Sequence, residues 1–157
     1  MQKVKKKDMA VLIKNKQRKV VIENDYLKKN IQKVLAYLEY PNYDIGLWIT
    51  TNATIRKYNK QYRERDKATS ILSFSFHPKL KPGKKIRPKT DADKNLGDLI
   101  ISAEFIKKDA PNWNQTFNER LNATIVHGIC HLLGYTHKSD QAFGKMQKKE
   151  RELLALL

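Results

Sequence analysis

Residues 126–137 read VHGICHLLGYTH, and their spacing decides how the second half of the chain folds. His127 and His131 stand four positions apart. On an α-helix that separation is 400° of rotation, so the two rings lie about 40° apart in angle and ~6 Å apart in rise, on one face and within reach of one ion. Gly134 follows the apolar run and is a good left-handed terminator. A chain that turns back there can bring His137 to the same ion from a loop. Three neutral nitrogens with an open fourth position are how catalytic zinc is held, whereas a structural site closes with a fourth Cys or His. Cys130 is near His127 in sequence but reads as core. Zinc, one per chain, is the first choice of metal; imidazole also suits Ni, Cu and Fe.

The pattern HxxxHxxGxxH is that of the metzincin proteases with one change: Gly128 stands where they carry the glutamate general base. Proteolysis by that route therefore lacks its base. Upstream, VLIKNKQRKVVI holds two short strand-like apolar runs, and DYLKKNIQKVLAYLEY places Leu27, Ile31, Val34, Leu35 and Leu38 at helical spacing, with Asn24 or Asp25 as N-cap. DIGLWIT, residues 44–50, is rich in β-formers, and Thr51 or Asn52 can cap a helix with Ile55, Tyr58 and Tyr62 on one face. ILSFSF alternates with period two and LGDLIIS follows as another strand. Between them, residues 77–94 are proline-rich and highly charged and read as a long mobile loop. AEFIKKDA makes a short helix, and a last helix from Ser139 to the C-terminus takes Phe143, Met146, Leu153, Leu154 and Leu157 as its apolar face. The order β, α, β, α, β, β, α, α is one mixed α+β domain over residues 10–157, preceded by a basic, flexible extension at residues 1–9.

The chain of 157 residues carries 32 Lys and Arg against 16 Asp and Glu, a formal charge of +16. Four segments hold the excess: residues 1–19 (8 basic, 1 acidic), 54–67 (6 and 2), 79–94 (7 and 2) and 138–151 (5 and 2). A polyanion is the natural partner, and nucleic acid fits because Lys and Arg on phosphates release condensed counterions. The basic segments lack an interleaved apolar helical face, so a membrane surface fits poorly. One cysteine forms no internal disulfide, which points to a reducing compartment. No apolar run approaches the ~20 residues of a membrane span.

HGICHLLGYTH is similar to the HGxxHLxGYDH signature of the YbeY family of metal-dependent endoribonucleases. YRERDKATSILSFSF (residues 62–76) resembles that family's YRxxDKPTDVLSFPF, and NLGDLIIS its LGDI segment, in the same order and spacing. Thr136, Ala68 and Ser75 depart from the pattern, standing where the family has Asp, Pro and Pro. The resemblance implies a zincin-like fold, a small mixed sheet packed with helices around a three-histidine metal site. It assigns His127, His131 and His137 as metal ligands and Arg63 as the functionally important arginine, all four forming the catalytic set. It implies a single-strand-specific endoribonuclease of ribosomal RNA maturation and ribosome quality control, with RNA and the small ribosomal subunit or its proteins as partners. The expected location is the cytoplasm, or mitochondria or another organelle in a eukaryotic source. The competing readings are another zinc-dependent hydrolase, peptidase-like, and a ribosome-associated RNA-binding factor without catalysis. Among the remaining polar residues, Asp98 reads as a structural carboxylate or one approaching the metal, and His77 as a loop residue or fourth ligand. Arg65 and Lys67 read as phosphate contacts or solvated loop residues, and Tyr135 and Trp113 as base-stacking or packing rings. Met146 fits beneath the metal or within the apolar stripe.

Overall fold

The computed structural model describes residues 10–157, so the basic extension expected at residues 1–9 lies outside the described residues. The elements run β1 (Val11–Asn15), α1 (Asn24–Tyr37), β2 (Asp44–Thr50), α2 (Asn52–Arg63), β3 (Ile71–Ser75), β4 (Asn95–Ser102), α3 (Ala103–Asp109), α4 (Phe117–Leu132) and α5 (Asp140–Leu154). The strands form one sheet in the order β1-β2-β4-β3. The first three are parallel, and β3 runs antiparallel to β4 along an edge. Strand alternation sends Ile45, Leu47, Ile49, Leu99 and Ile101 to one face, where they share a core with Leu27, Ile31 and Leu35 of α1 and Val126 and Ile129 of α4. On the other face Leu72 and Ile100 meet Ile55 of α2 in a smaller cluster. Helices therefore cover the mixed sheet from both sides, the α+β arrangement expected from the order of elements.

Three local expectations differ from the structure. The second apolar run, Val20–Ile22, is not a strand: the Gln17 side chain donates to the Val20 carbonyl at 2.8 Å and accepts from its amide at 2.9 Å. A side chain thus satisfies the backbone groups that a neighbouring strand would have taken. Helix α1 is capped from Glu23, one or two residues before the expected Asn24 or Asp25, and without a side-chain hydrogen bond. The stretch from His77 to Lys94 is pinned rather than free. His77 Nε2 meets the Asp93 carbonyl at 2.8 Å, the Ile86 amide donates to Tyr40 Oη at 3.1 Å, and Lys85 Nζ donates to the Leu38 carbonyl at 2.7 Å. The fixed turns and the burial of Ile86 follow from contacts within the loop and with residues 38–40 just after α1, which are remote in sequence.

Helix α4 is capped by the Thr116 side chain, which accepts from the Glu119 amide, and is ended by Gly134 at φ +92°. A Cβ at Gly134 would stand 2.1 Å from the Leu80 carbonyl oxygen, so the helix stop and the pinned loop require glycine together. Gly128 plays a different part. It faces the sheet, and a Cβ there would lie 2.5 Å from Ile71 Cδ1 and 2.8 Å from Leu99 Cδ2. The position that carries a glutamate base in metzincins thus points into the core. Gly128→Ala is expected to destabilise the fold by about 1–3 kcal/mol through overpacking, read from urea denaturation.

Cys130 lies in the same core, fully buried, and burial pushes its thiol up to about 12. Because the thiolate is the reactive form, alkylation by iodoacetamide at pH 8 is expected to be negligible in the folded protein and rapid in urea, as mass spectrometry would show. The unfolded thiol ionises near 9, so between about pH 9 and 12 the native state binds the extra proton and stability falls as pH rises. Replacing Cys130 by Ala should flatten that fall in a series of melting temperatures.

Candidate metal centre and its cavity

Helix α4 presents His127 and His131 on one face, and the turn after Gly134 returns His137 to them. The three rings lie 4.5, 5.2 and 5.8 Å apart between centroids. One ligand nitrogen from each falls within 4.8 Å of the others. They line a cavity of about 400 Å³ whose walls also hold Arg63, Ser73, Trp113, Arg120, Met146 and Glu150.

Hydrogen bonds fix which nitrogen of two rings is free. His131 Nδ1 lies 2.9 Å from the Tyr135 carbonyl oxygen, which only accepts, so Nδ1 carries the proton and Nε2 a lone pair. His127 Nδ1 lies 3.2 Å from Glu150 Oε1, and donation to that carboxylate again leaves the lone pair on Nε2. The two Nε2 atoms then face each other at 3.0 Å, lone pair to lone pair. Such an arrangement repels unless a cation stands between, and two nitrogens on a tetrahedral zinc sit roughly 3.3 Å apart for bonds of about 2.0–2.1 Å. Burial, reinforced by His127, holds the His131 pKa down to about 4, so this ring stays neutral and its lone pair available above that pH. Three imidazoles, two of them oriented by acceptors behind them, form a donor set that fits a divalent transition metal.

Arg63 is the last residue of α2, and Glu64 breaks the helix behind it in the left-handed region at φ 56°. Although α2 packs on the far face of the sheet, its final turn reaches past edge strand β3, and Arg63 lines the same cavity as the histidines. The four residues assigned from the sequence motifs are therefore brought together. Arg65 and Lys67 are exposed on the following loop, outside the cavity lining. Asp98 lies in register with Gly46 and lines a separate groove on the α2 side of the sheet, away from the histidines. His77 is engaged with Asp93 rather than with the triad. Tyr135 is buried, contributing its carbonyl rather than its ring, whereas Trp113 is exposed. Met146 is buried beneath the cavity, and Phe143, expected on the apolar face of the last helix, instead stands half-exposed at its rim.

Two wall residues escaped the sequence reading. Glu150 sits on α5, 23 positions from His127, and Arg120 sits two turns before it on α4. The seven-residue spacing from Arg120 to His127 puts both on one helical face and was the available signal. For Glu150 no local pattern existed, because its partner is on another helix. Elemental analysis of the purified protein is expected to find about one divalent metal per chain, lost when all three histidines are replaced by Ala. Glu150→Ala should weaken the metal affinity about 10- to 100-fold in a chelator competition.

Comparison with known proteins agrees with this geometry. The family model "Endoribonuclease YbeY" matches residues 12–157. The human protein named Endoribonuclease YbeY is 36% identical over 146 residues, covering 93% of this chain and 87% of its own. Its namesake from Aquifex aeolicus is 36% identical over 153 residues, covering 98% and 92%. A solution structure of a Thermotoga maritima protein shares the fold with a TM-score of 0.55 at 22% identity, over 94% of this chain and 89% of that one. A match across nearly the whole chain, at this identity and with the histidines gathered in one cavity, means that the chain belongs to the YbeY family.

Proposed function

We propose that the chain is a metal-dependent endoribonuclease that cuts single-stranded RNA, acting on ribosomal RNA during maturation and quality control of the small ribosomal subunit. The observation that carries this reading is the placement of Arg63 in one cavity with three imidazoles whose ligand nitrogens lie within 4.8 Å of one another. A divalent ion, for which zinc is our choice, would be held by His127, His131 and His137 and would supply Lewis acidity towards a phosphoryl oxygen and acidify a bound water. Arg63 binds the non-bridging oxygens of the scissile phosphate. Its guanidinium stays charged and donates in a fixed fork, which an ammonium does not reproduce. Glu150 and the Tyr135 carbonyl keep His127 and His131 in the tautomer that presents Nε2 to the ion.

Three of the four basic segments support the same substrate. The segment 54–67 ends around Arg63, the segment 138–151 is α5 with Glu150 at the cavity, and the segment 79–94 packs through Leu80 under Gly134, where the turn to His137 begins. Their exposed lysines steer a polyanion towards the opening. The peptidase alternative loses its helix-borne base, because Gly128 faces Ile71 and Leu99. A reducing compartment, the cytoplasm or the mitochondrial matrix, is the location we propose, in keeping with a free, buried Cys130.

Purified protein incubated with unstructured and duplex RNA tests the proposal. Cleavage of the unstructured RNA is expected, with loss of at least about 100-fold in kcat/KM for His131→Ala and for Arg63→Ala, the scale on which removal of one charge-stabilising donor is felt. Arg63→Lys should recover little. The rate at low substrate should fall steeply with salt. Wild-type rates in both alanine variants would refute the assigned site, and RNA binding without cleavage at any metal supplied would establish a binding factor instead.

A further inference from the structure

The lining of the histidine cavity also contains a pair that the metal centre does not use. Trp113 closes the short turn Ala110–Trp113 after α3 and keeps 56% of its surface exposed. Its ring is nevertheless fixed. Indole Nε1 donates to Asp109 Oδ2 at 2.8 Å, and the Arg120 guanidinium carbon lies 4.0 Å from the ring centroid. Arg120 Nε is buried and has no hydrogen-bond partner among the described residues; Nη1 reaches Gln115 Oε1 at 3.4 Å. The partly exposed guanidinium covers one face of the indole, which leaves the other face for a ligand. Both residues line the cavity of the histidine triad.

An exposed indole face costs free energy unless something covers it, and this one is held rigid by a hydrogen bond and a cation–π contact rather than folded into the core. A flat, preordered aromatic beside a permanent cation matches one ligand chemistry well. A nucleobase stacks on the free face of the ring, and a flanking phosphate of the same strand meets the free edge of the guanidinium in the cavity. We infer that Trp113 and Arg120 form a nucleotide subsite for an unpaired base next to the phosphate held by Arg63. The inference rests on the proposed action on RNA. It adds a physical source for single-strand preference, because a base already stacked in a duplex cannot also stack on Trp113.

The chain has two tryptophans, so Trp48→Phe leaves Trp113 as the sole indole fluorophore. Titration of that variant with a 2′-deoxy single-stranded oligonucleotide is expected to quench its fluorescence to saturation, while a duplex of the same sequence leaves it unchanged. In the otherwise native chain, Trp113→Ala and Arg120→Ala should each weaken oligonucleotide binding about 5- to 100-fold. Trp113→Phe, which keeps a stacking ring, should restore most of the affinity. For RNA cleavage the alanine variants should raise KM with little change in kcat, and unchanged melting temperatures would show that the fold is intact. Equal binding by the parent and both alanine variants, or binding without quenching, overturns the subsite. If RNA is cut alike by all of them, the subsite fails and the nuclease reading stands. If the oligonucleotide quenches Trp113 but RNA is never cut, the nuclease reading fails and the subsite stands.

Discussion

The close approach of α4 to the sheet at Gly128 is the contact on which the rest of the site depends. Ile71 and Leu99 occupy the space where any side chain at that position would stand, so the helix lies flush on β3 and β4. The neighbouring residue His127 then projects along the edge of the sheet, into the space between β3, α5 and the end of α2. Raising the helix by the width of a methyl group would lift His127 and His131 together and move them away from Arg63, which is anchored to the other face of the sheet. The tight packing that stabilises the core is the same packing that sets the distance between the triad and the arginine.

A second constraint comes from imidazole itself. A neutral ring has one donor and one acceptor nitrogen, so engaging Nδ1 as a donor commits Nε2 as an acceptor. The Tyr135 carbonyl and the Glu150 carboxylate make that commitment for two rings at once. The Tyr135 carbonyl is available only because the chain turns at Gly134, and the Leu80 carbonyl packs so close to that turn that no side chain fits at Gly134. The pinned loop therefore contributes to the ligand geometry although none of its side chains reaches the triad.

Features set by short-range periodicity were legible in the sequence. The four strands, the amphipathic face of α1, the cap at Thr51 or Asn52, the start of the last helix at Ser139 and the Gly134 stop all follow from spacings within a few residues. The histidine triad was legible for the same reason, since its members fall within one helix and the turn that follows. Arg63 needed the family motif, because nothing local distinguishes a helix-end arginine from a solvated one. What escaped depended on partners remote along the chain. Val20 is satisfied by a glutamine side chain instead of a strand, the 77–94 loop is tied to the turn after α1, and Phe143 leaves the apolar stripe for the cavity rim. Glu150 became visible only when α5 was seen lying against α4.

The three ligands span only residues 127–137, whereas Arg63 is 64 positions before the first of them. Closing a chelate over so short a stretch costs little chain entropy. Juxtaposing the arginine, in contrast, requires α2, β3 and α4 to be assembled across the whole sheet. The two halves of the chemistry therefore differ in how much of the protein they need. A partly opened molecule in which α2 has come away from β3 would keep the three histidines together while losing Arg63 from their cavity, so the capacity to hold a metal would outlast the complete site.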